Sequence, residues 1–184
     1  MNAWVESIPA DELCPVFLPF LMASNVHPNA VGSFVGISNF HTRAHLARSI
    51  YEGIAFSHRY HLEKLLLTRK TPPEFIRLAG GVVHSRIWSQ MFADIMKYPI
   101  QVVDANETGA LGCAMIGATA VGEYSSVADA ATHMCRISKP IFPDKDREKI
   151  YDQKYELYLH TIQALDPLWD QIQGYRDRIE NKRN

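Results

Sequence analysis

Apolar residues along this chain switch between two spacings, and the switches mark out its elements. Residues 15–20, Pro-Val-Phe-Leu-Pro-Phe, form a short apolar run whose prolines disfavour helix, so it is predicted extended. Residues 32–37, Gly-Ser-Phe-Val-Gly-Ile, read as a second short strand. From Thr42 the spacing becomes helical: Ala44, Ala47, Ile50, Tyr51, Ile54 and Ala55 recur on one face, and the pattern runs to about Leu67 before Thr71-Pro72-Pro73 stops it. Phe75 to Ala79 predicts a strand that runs directly into Gly80-Gly81. Ser85 is placed to cap a helix reaching about Lys97, with Trp88, Met91, Phe92 and Ile95 on its buried side. After Pro99, residues 100–103 predict another strand. A small-residue helix follows over 110–121, closed by Gly122, and a further helix over 126–134. A last helix is expected from about Arg147 towards Leu165, with a polar tail beyond Pro167 that frays from Arg176.

Strands alternating with helices imply an α/β domain with a mainly parallel sheet and helices packed on its faces. The expected organisation is one domain over residues 1–166 and a tail over 167–184. The composition agrees: 184 residues, 47% hydrophobic and 21% charged, suit one domain with a real core. A net charge of -1 gives no electrostatic reason to expect nucleic acid or an anionic membrane as partner. Cys14, Cys113 and Cys135 are odd in number and widely spaced, which suggests neither a zinc site nor a disulfide framework. With no basic-then-apolar leader and no apolar run of about 20 residues, the expected compartment is the cytoplasm.

The chemistry candidates are few. A strand running into Gly80-Gly81 and then a helix lets backbone approach a phosphate, because glycine has no Cβ and tolerates positive φ. A tight turn with no ligand has the same local signature, and neither GxxxxGK[ST] nor GxGxxG occurs. Glu107-Thr108-Gly109-Ala110-Leu111-Gly112 opens a second strand-to-helix turn. Its small residues suit either close packing on the sheet or close approach to a nucleotide. His41 and His45 stand at i, i+4 and His58 and His61 at i, i+3, without the cysteine or carboxylate partners a metal site needs, so no metal ligand is assigned. Tyr151, Tyr155 and Tyr158 follow helical spacing and read as packing.

Two longer stretches carry a resemblance. Residues 32–37 followed, seven residues later, by His45-Leu46-Ala47-Arg48-Ser49-Ile50-Tyr51-Glu52 resemble the second signature of the FGGY carbohydrate kinases. Leu78-Ala79-Gly80-Gly81, with Ser85, Trp88, Gln90, Met91, Ala93 and Asp94 and then Glu107 to Ala114, is similar to the nucleotide-binding region of that family. Within it, residues 17–21, 24–25, 41–46, 51–53, 56–58 and 151–155 look most like the bacterial L-xylulose (3-keto-L-gulonate) kinases, with D-xylulose kinases next.

The resemblance implies an actin-like, ribonuclease H-like α/β fold, N-terminally truncated, with helices on both faces of a mixed sheet and ATP bound in a cleft between two such domains. It places Gly80 and Gly81 at the phosphates and Ser85 near the adenine or ribose, with Val82 standing where many relatives have Gly or Ala. It implies ATP and Mg²⁺ for the complete enzyme and a ketopentose-type sugar, L-xylulose first, as substrate. The general-base aspartate, the first phosphate loop and most sugar contacts fall outside this chain, so no catalytic residue is assigned here. Phosphoryl transfer needs positioned phosphates, metal and an oriented nucleophile together. The chain is therefore expected either to act with a missing half or to be an inactive nucleotide-binding module. An exposed sheet edge or face near Phe34 would favour a homo-oligomer.

Overall fold

The strands and long helices anticipated from the spacing are present, in the anticipated order. The computed structural model describes residues 1–22, 24, 26–105 and 107–182. Its elements are α1 (Asn2–Glu6), β1 (Val16–Leu18), β2 (Ser33–Val35), α2 (Arg43–Leu66), β3 (Ile76–Leu78), a 3₁₀ turn (Gly81–His84), α3 (Arg86–Met96), β4 (Ile100–Val102), α4 (Thr108–Ala120), α5 (Val127–Met134) and α6 (Lys145–Glu180). Helix starts follow the capping residues. Thr42 Oγ1 accepts from the Ala44 N–H at 3.3 Å, and the Thr42 N–H donates to His45 Nδ1 at 3.1 Å, a capping box with histidine in the usual Glu position. Ser126 Oγ accepts from the Asp129 N–H at 3.1 Å and opens α5.

The chain divides into two compact units, residues 1–70 with the final helix and residues 71–144. In the first, β1 and β2 pair antiparallel with Phe17 opposite Phe34, their rings 4.6 Å apart. Phe34 stays 39% exposed. Helix α2 buries Ala47, Tyr51, Ala55 and Phe56, while α6 buries Tyr151, Tyr155, Tyr158 and Ile162. Phe56 lies 6.4, 5.8 and 5.6 Å from the rings of Tyr151, Tyr155 and Tyr158, so the tyrosine periodicity is a packing stripe. Arg59 clamps the same two helices. It donates to Glu63 at 2.9 Å and to Asp152 at 2.8 Å, and its guanidinium lies 4.1 Å over the Tyr155 ring.

In the second unit β3 and β4 pair in parallel, Ile76 with Ile100 and Leu78 with Val102. Ile141 adds an antiparallel bridge at Ile100. Helix α3 buries Met91, Phe92, Ala93, Ile95 and Met96. Asp94, wholly buried, ties the unit together: its Oδ1 accepts from Gln90 Nε2 at 2.7 Å and from the Asp144 N–H at 2.9 Å.

Two expectations are corrected. The strands form one antiparallel and one parallel ladder of two strands each, so parallel pairing accounts for only one of the two. The last helix does not stop near Leu165 but continues through Pro167 to Glu180. Proline forfeits the bond to the carbonyl four residues back. Here tertiary contact outweighs that loss: Trp169 is only 1% exposed, and Asp170 Oδ1 accepts from Asn29 Nδ2 at 2.8 Å.

Candidate functional site

The strongest candidate from sequence is the turn after β3. Leu78 accepts from the Val103 N–H at 3.0 Å, and the chain then leaves the ladder at Ala79. Gly80 takes φ 83° and ψ −161°, a conformation essentially restricted to glycine, and turns the backbone into Gly81–His84. The Val83 N–H closes the turn on the Gly80 carbonyl at 3.1 Å. A Cβ built on Gly80 or Gly81 would meet nothing within 4 Å, so the outer face of the turn is open. The pair therefore lies at the carboxyl end of a parallel strand, where ligands of α/β sheets collect. The first N–H groups of such a turn have no partner within it, which suits an anion.

Different demands on the two glycines give a direct prediction. Gly80→Ala is expected to cost about 1–3 kcal/mol, because alanine is strained at that φ and ψ. Gly81→Ala, with open space around it, is expected to stay within about 0.5 kcal/mol of the parent. Urea denaturation of both variants checks this.

Ser85 is placed differently from an exposed ligand-binding hydroxyl. It is 5% exposed, and its Oγ accepts from the Trp88 N–H at 3.2 Å, capping α3 directly behind the glycine turn. The second candidate turn opens α4 at Thr108, with the Leu111 N–H donating to the Glu107 carbonyl at 3.0 Å. Its small residues were expected to serve either close packing on the sheet or close approach to a nucleotide, and the surroundings of Gly109, Gly112 and Gly117 are open.

Three of the four candidate histidines, His41, His45 and His58, bond backbone groups. His41 Nδ1 accepts from the Ser38 N–H at 3.0 Å, and its Nε2 lies 3.1 Å from the Leu13 carbonyl. His45 Nδ1 serves the capping box described above, and His58 Nδ1 lies 2.8 Å from the Ile54 carbonyl.

The cluster that sequence reasoning missed is a buried ion network in the first unit. Arg48 and Glu52, both 4% exposed, meet at 2.7 Å one helical turn apart on α2. Arg48 also donates to the carbonyls of Val5 and Ile8 and, at 2.8 Å, to the Tyr151 hydroxyl. Lys154 donates to both carboxylate oxygens of Glu52, at 3.0 and 3.2 Å. The network ties α1, α2 and α6 together. A cavity of about 50 Å³ borders it, lined in part by Cys14. Burial, followed by the Glu52 carboxylate, pushes the Cys14 thiol up to about 11, so it stays a thiol at neutral pH and is no nucleophile. The sequence signal was available: Arg48 and Glu52 sit four apart on the very face that carries Tyr51 and Ala55. A second cavity, about 210 Å³, is lined by Phe20, Ser57, Tyr60, His61 and Tyr158 among others. Among the described residues no lysine or arginine lines it, so these offer no fixed positive charge to a phosphate.

Comparison with known proteins adds the family context. Residues 6–121 match the C-terminal domain model of the FGGY family of carbohydrate kinases. The chain is similar to the L-xylulose/3-keto-L-gulonate kinase of Escherichia coli (strain K12), 35% identical over 180 residues, covering 98% of this chain and 34% of that protein. A probable L-xylulose kinase of Haemophilus influenzae is 36% identical over 151 residues, covering 82% of this chain and 30% of that protein. Among solved structures, xylulose kinase from Rhodospirillum rubrum superposes with a TM-score of 0.76 at 31% identity, over 92% of this chain and 34% of its own. The chain thus spans about a third of the length of the relatives it matches.

Proposed function

Because this chain belongs to the FGGY family of carbohydrate kinases, we propose that it supplies the nucleotide side of an ATP-dependent sugar kinase, through residues 1–166. Gly80 and Gly81 face the phosphates. Ser85, fixed under the turn by the Trp88 N–H, lies beside the adenine or ribose and sets the start of α3. The observation that carries this reading is the turn itself: a glycine-only conformation at the carboxyl end of a parallel strand, open on its outer face. ATP brings the phosphoryl group, and Mg²⁺ neutralises its charge, in the complete enzyme.

On this chain the residues do three things. Gly80 turns the backbone, Gly81 presents its N–H without a side chain in the way, and Ser85 holds the helix that backs the turn. Catalysis itself belongs to the remainder of the kinase, which brings the base and most sugar contacts. The substrate is a ketopentose-type sugar, L-xylulose first and D-xylulose second, and the working compartment is the cytoplasm. No helix among the described residues is long and apolar enough to cross a membrane.

The test is calorimetric titration of the chain with ATP-Mg²⁺, repeated on Gly81→Asp. Saturable binding is expected, weakened at least about tenfold when a carboxylate stands where the phosphates approach, since like charges repel across a desolvated contact. A folded chain that shows no saturable binding would overturn the nucleotide reading for this polypeptide on its own.

A further inference from the structure

We infer that the cavity of about 210 Å³ lined by the loop after β1, by α2 and by α6 is a binding site for a free, uncharged monosaccharide. It belongs wholly to the unit made of residues 1–70 and the final helix. The inference therefore does not depend on the glycine turn, which lies in residues 71–144.

Three elements build the cavity. Ser57, Tyr60 and His61 stand at i, i+3 and i+4 on α2 and so share one helix face. Tyr158, 1% exposed, comes from α6, and Phe20, 6% exposed, from the loop after β1. That loop is braced: the Leu21 N–H donates to the Pro19 carbonyl at 2.9 Å, and Ser24 Oγ accepts from the Val26 N–H at 3.0 Å. The walls are thus core side chains and a tied loop. The space is several times the share of one water in the liquid, about 30 Å³, so it takes a small molecule.

The lining selects the ligand. Ser24, Ser57, Tyr60 and Tyr158 bring hydroxyls and His61 an imidazole, groups that both donate and accept. Among the described residues the Tyr60 hydroxyl has no hydrogen-bond partner, and the Ser24 hydroxyl, engaged as an acceptor, keeps its proton to give. Burial pushes the Tyr158 hydroxyl up to about 12, against a smaller opposite effect of its hydrogen bond with Ser57, so it is uncharged at neutral pH. No Asp, Glu, Lys or Arg is among the described lining residues. Lys64 lies over the Tyr60 ring at 4.1 Å, and Arg59 pairs with Glu63 and Asp152.

A phosphate or carboxylate would enter with no partner for its charge, which is costly away from water. An unphosphorylated sugar ring matches the lining on both counts. Its hydroxyls meet hydroxyls and imidazole, and its C–H faces meet Pro19, Phe20 and Val26. A nucleobase fits less well, because it needs free ring faces to stack on. Tyr158 is already stacked on Tyr155 at 6.2 Å, and one face of Tyr60 carries Lys64.

Saturation-transfer NMR of the chain with D-xylose, an uncharged pentose, tests the site. Saturable binding is expected at concentrations up to about 50 mM. Ser57→Leu fills the cavity and is expected to abolish it. Tyr60→Phe keeps the ring and removes one hydroxyl, and should weaken binding about fivefold, the usual worth of one neutral hydrogen bond. α-D-Xylose 1-phosphate keeps the sugar ring and should bind at least about tenfold more weakly, since its charge finds no partner. No saturable binding of D-xylose, or binding that neither variant changes, overturns the inference. Equal or tighter binding of the 1-phosphate also overturns it, as does displacement of D-xylose by adenosine. Should Ser57→Leu not fold, Tyr60→Phe decides alone, and an unchanged affinity in that variant overturns the site.

Discussion

Glu52→Gln is expected to lower the stability of the chain by about 3–5 kcal/mol, the usual cost of removing one partner from a buried ion pair. The parent arrangement has two cations sharing one carboxylate, Arg48 at 2.7 Å and Lys154 at 3.0 Å. Glutamine fits the space but carries no charge. Arg48 and Lys154 would then repel one another across an amide, and Arg48 has no route to water, being 4% exposed. Lys154, with 19% of its side chain exposed, can swing outward, so most of the loss falls on Arg48. The effect should be strongly non-additive. Arg48→Met combined with Glu52→Leu removes both buried charges and should recover most of the loss, because apolar residues of similar volume often replace a buried pair at little cost. Urea midpoints of the parent, both single variants and the double variant test this. Single-variant losses that simply add would show that the network is not one coupled unit.

What could be read from sequence, and what could not, follows the range of the interactions involved. Elements set by local chemistry were legible: the Thr71-Pro72-Pro73 stop ends α2 within a few residues of its expected end, and Ser85 caps α3 as expected. The glycine turn after β3 was legible in place, while the phosphate role proposed for it was reached only through family resemblance. Elements decided by distant contacts were not. Pro167 reads as a stop, and only the burial of Trp169 and the Asn29–Asp170 bond explain why the helix continues. The pairing sense of the strands depends on partners far along the chain, so alternation suggested more parallel sheet than the one ladder found. The charged network was half legible. Arg48 and Glu52 share the apolar face of Tyr51 and Ala55, but that α1 and α6 supply their further partners depends on contacts distant in sequence.

Gly53→Ala is the second large effect, and here two principles oppose. An alanine in the interior of a helix is worth about 1 kcal/mol over glycine, so α2 considered alone would gain. The fold opposes it. A Cβ at position 53 would run into the Phe17 carbonyl oxygen and come within 3.1 Å of the Phe17 Cβ. The carbonyl belongs to β1, which is held by its ladder to β2, so it has no side-chain freedom with which to yield. Either β1 lifts from α2 or the helix shifts, and both loosen Phe17, Leu18 and Phe56, all buried at this contact. Overpacking of this kind costs about 1–3 kcal/mol, and a clash with backbone belongs at the upper end, so the net change is a loss of about 2 kcal/mol. A lower urea midpoint with an unchanged slope is the expected result. A gain in stability would mean that β1 does not sit against Gly53. Conversely, a normal midpoint with weakened ATP binding would tie the position to the ligand site and not to packing.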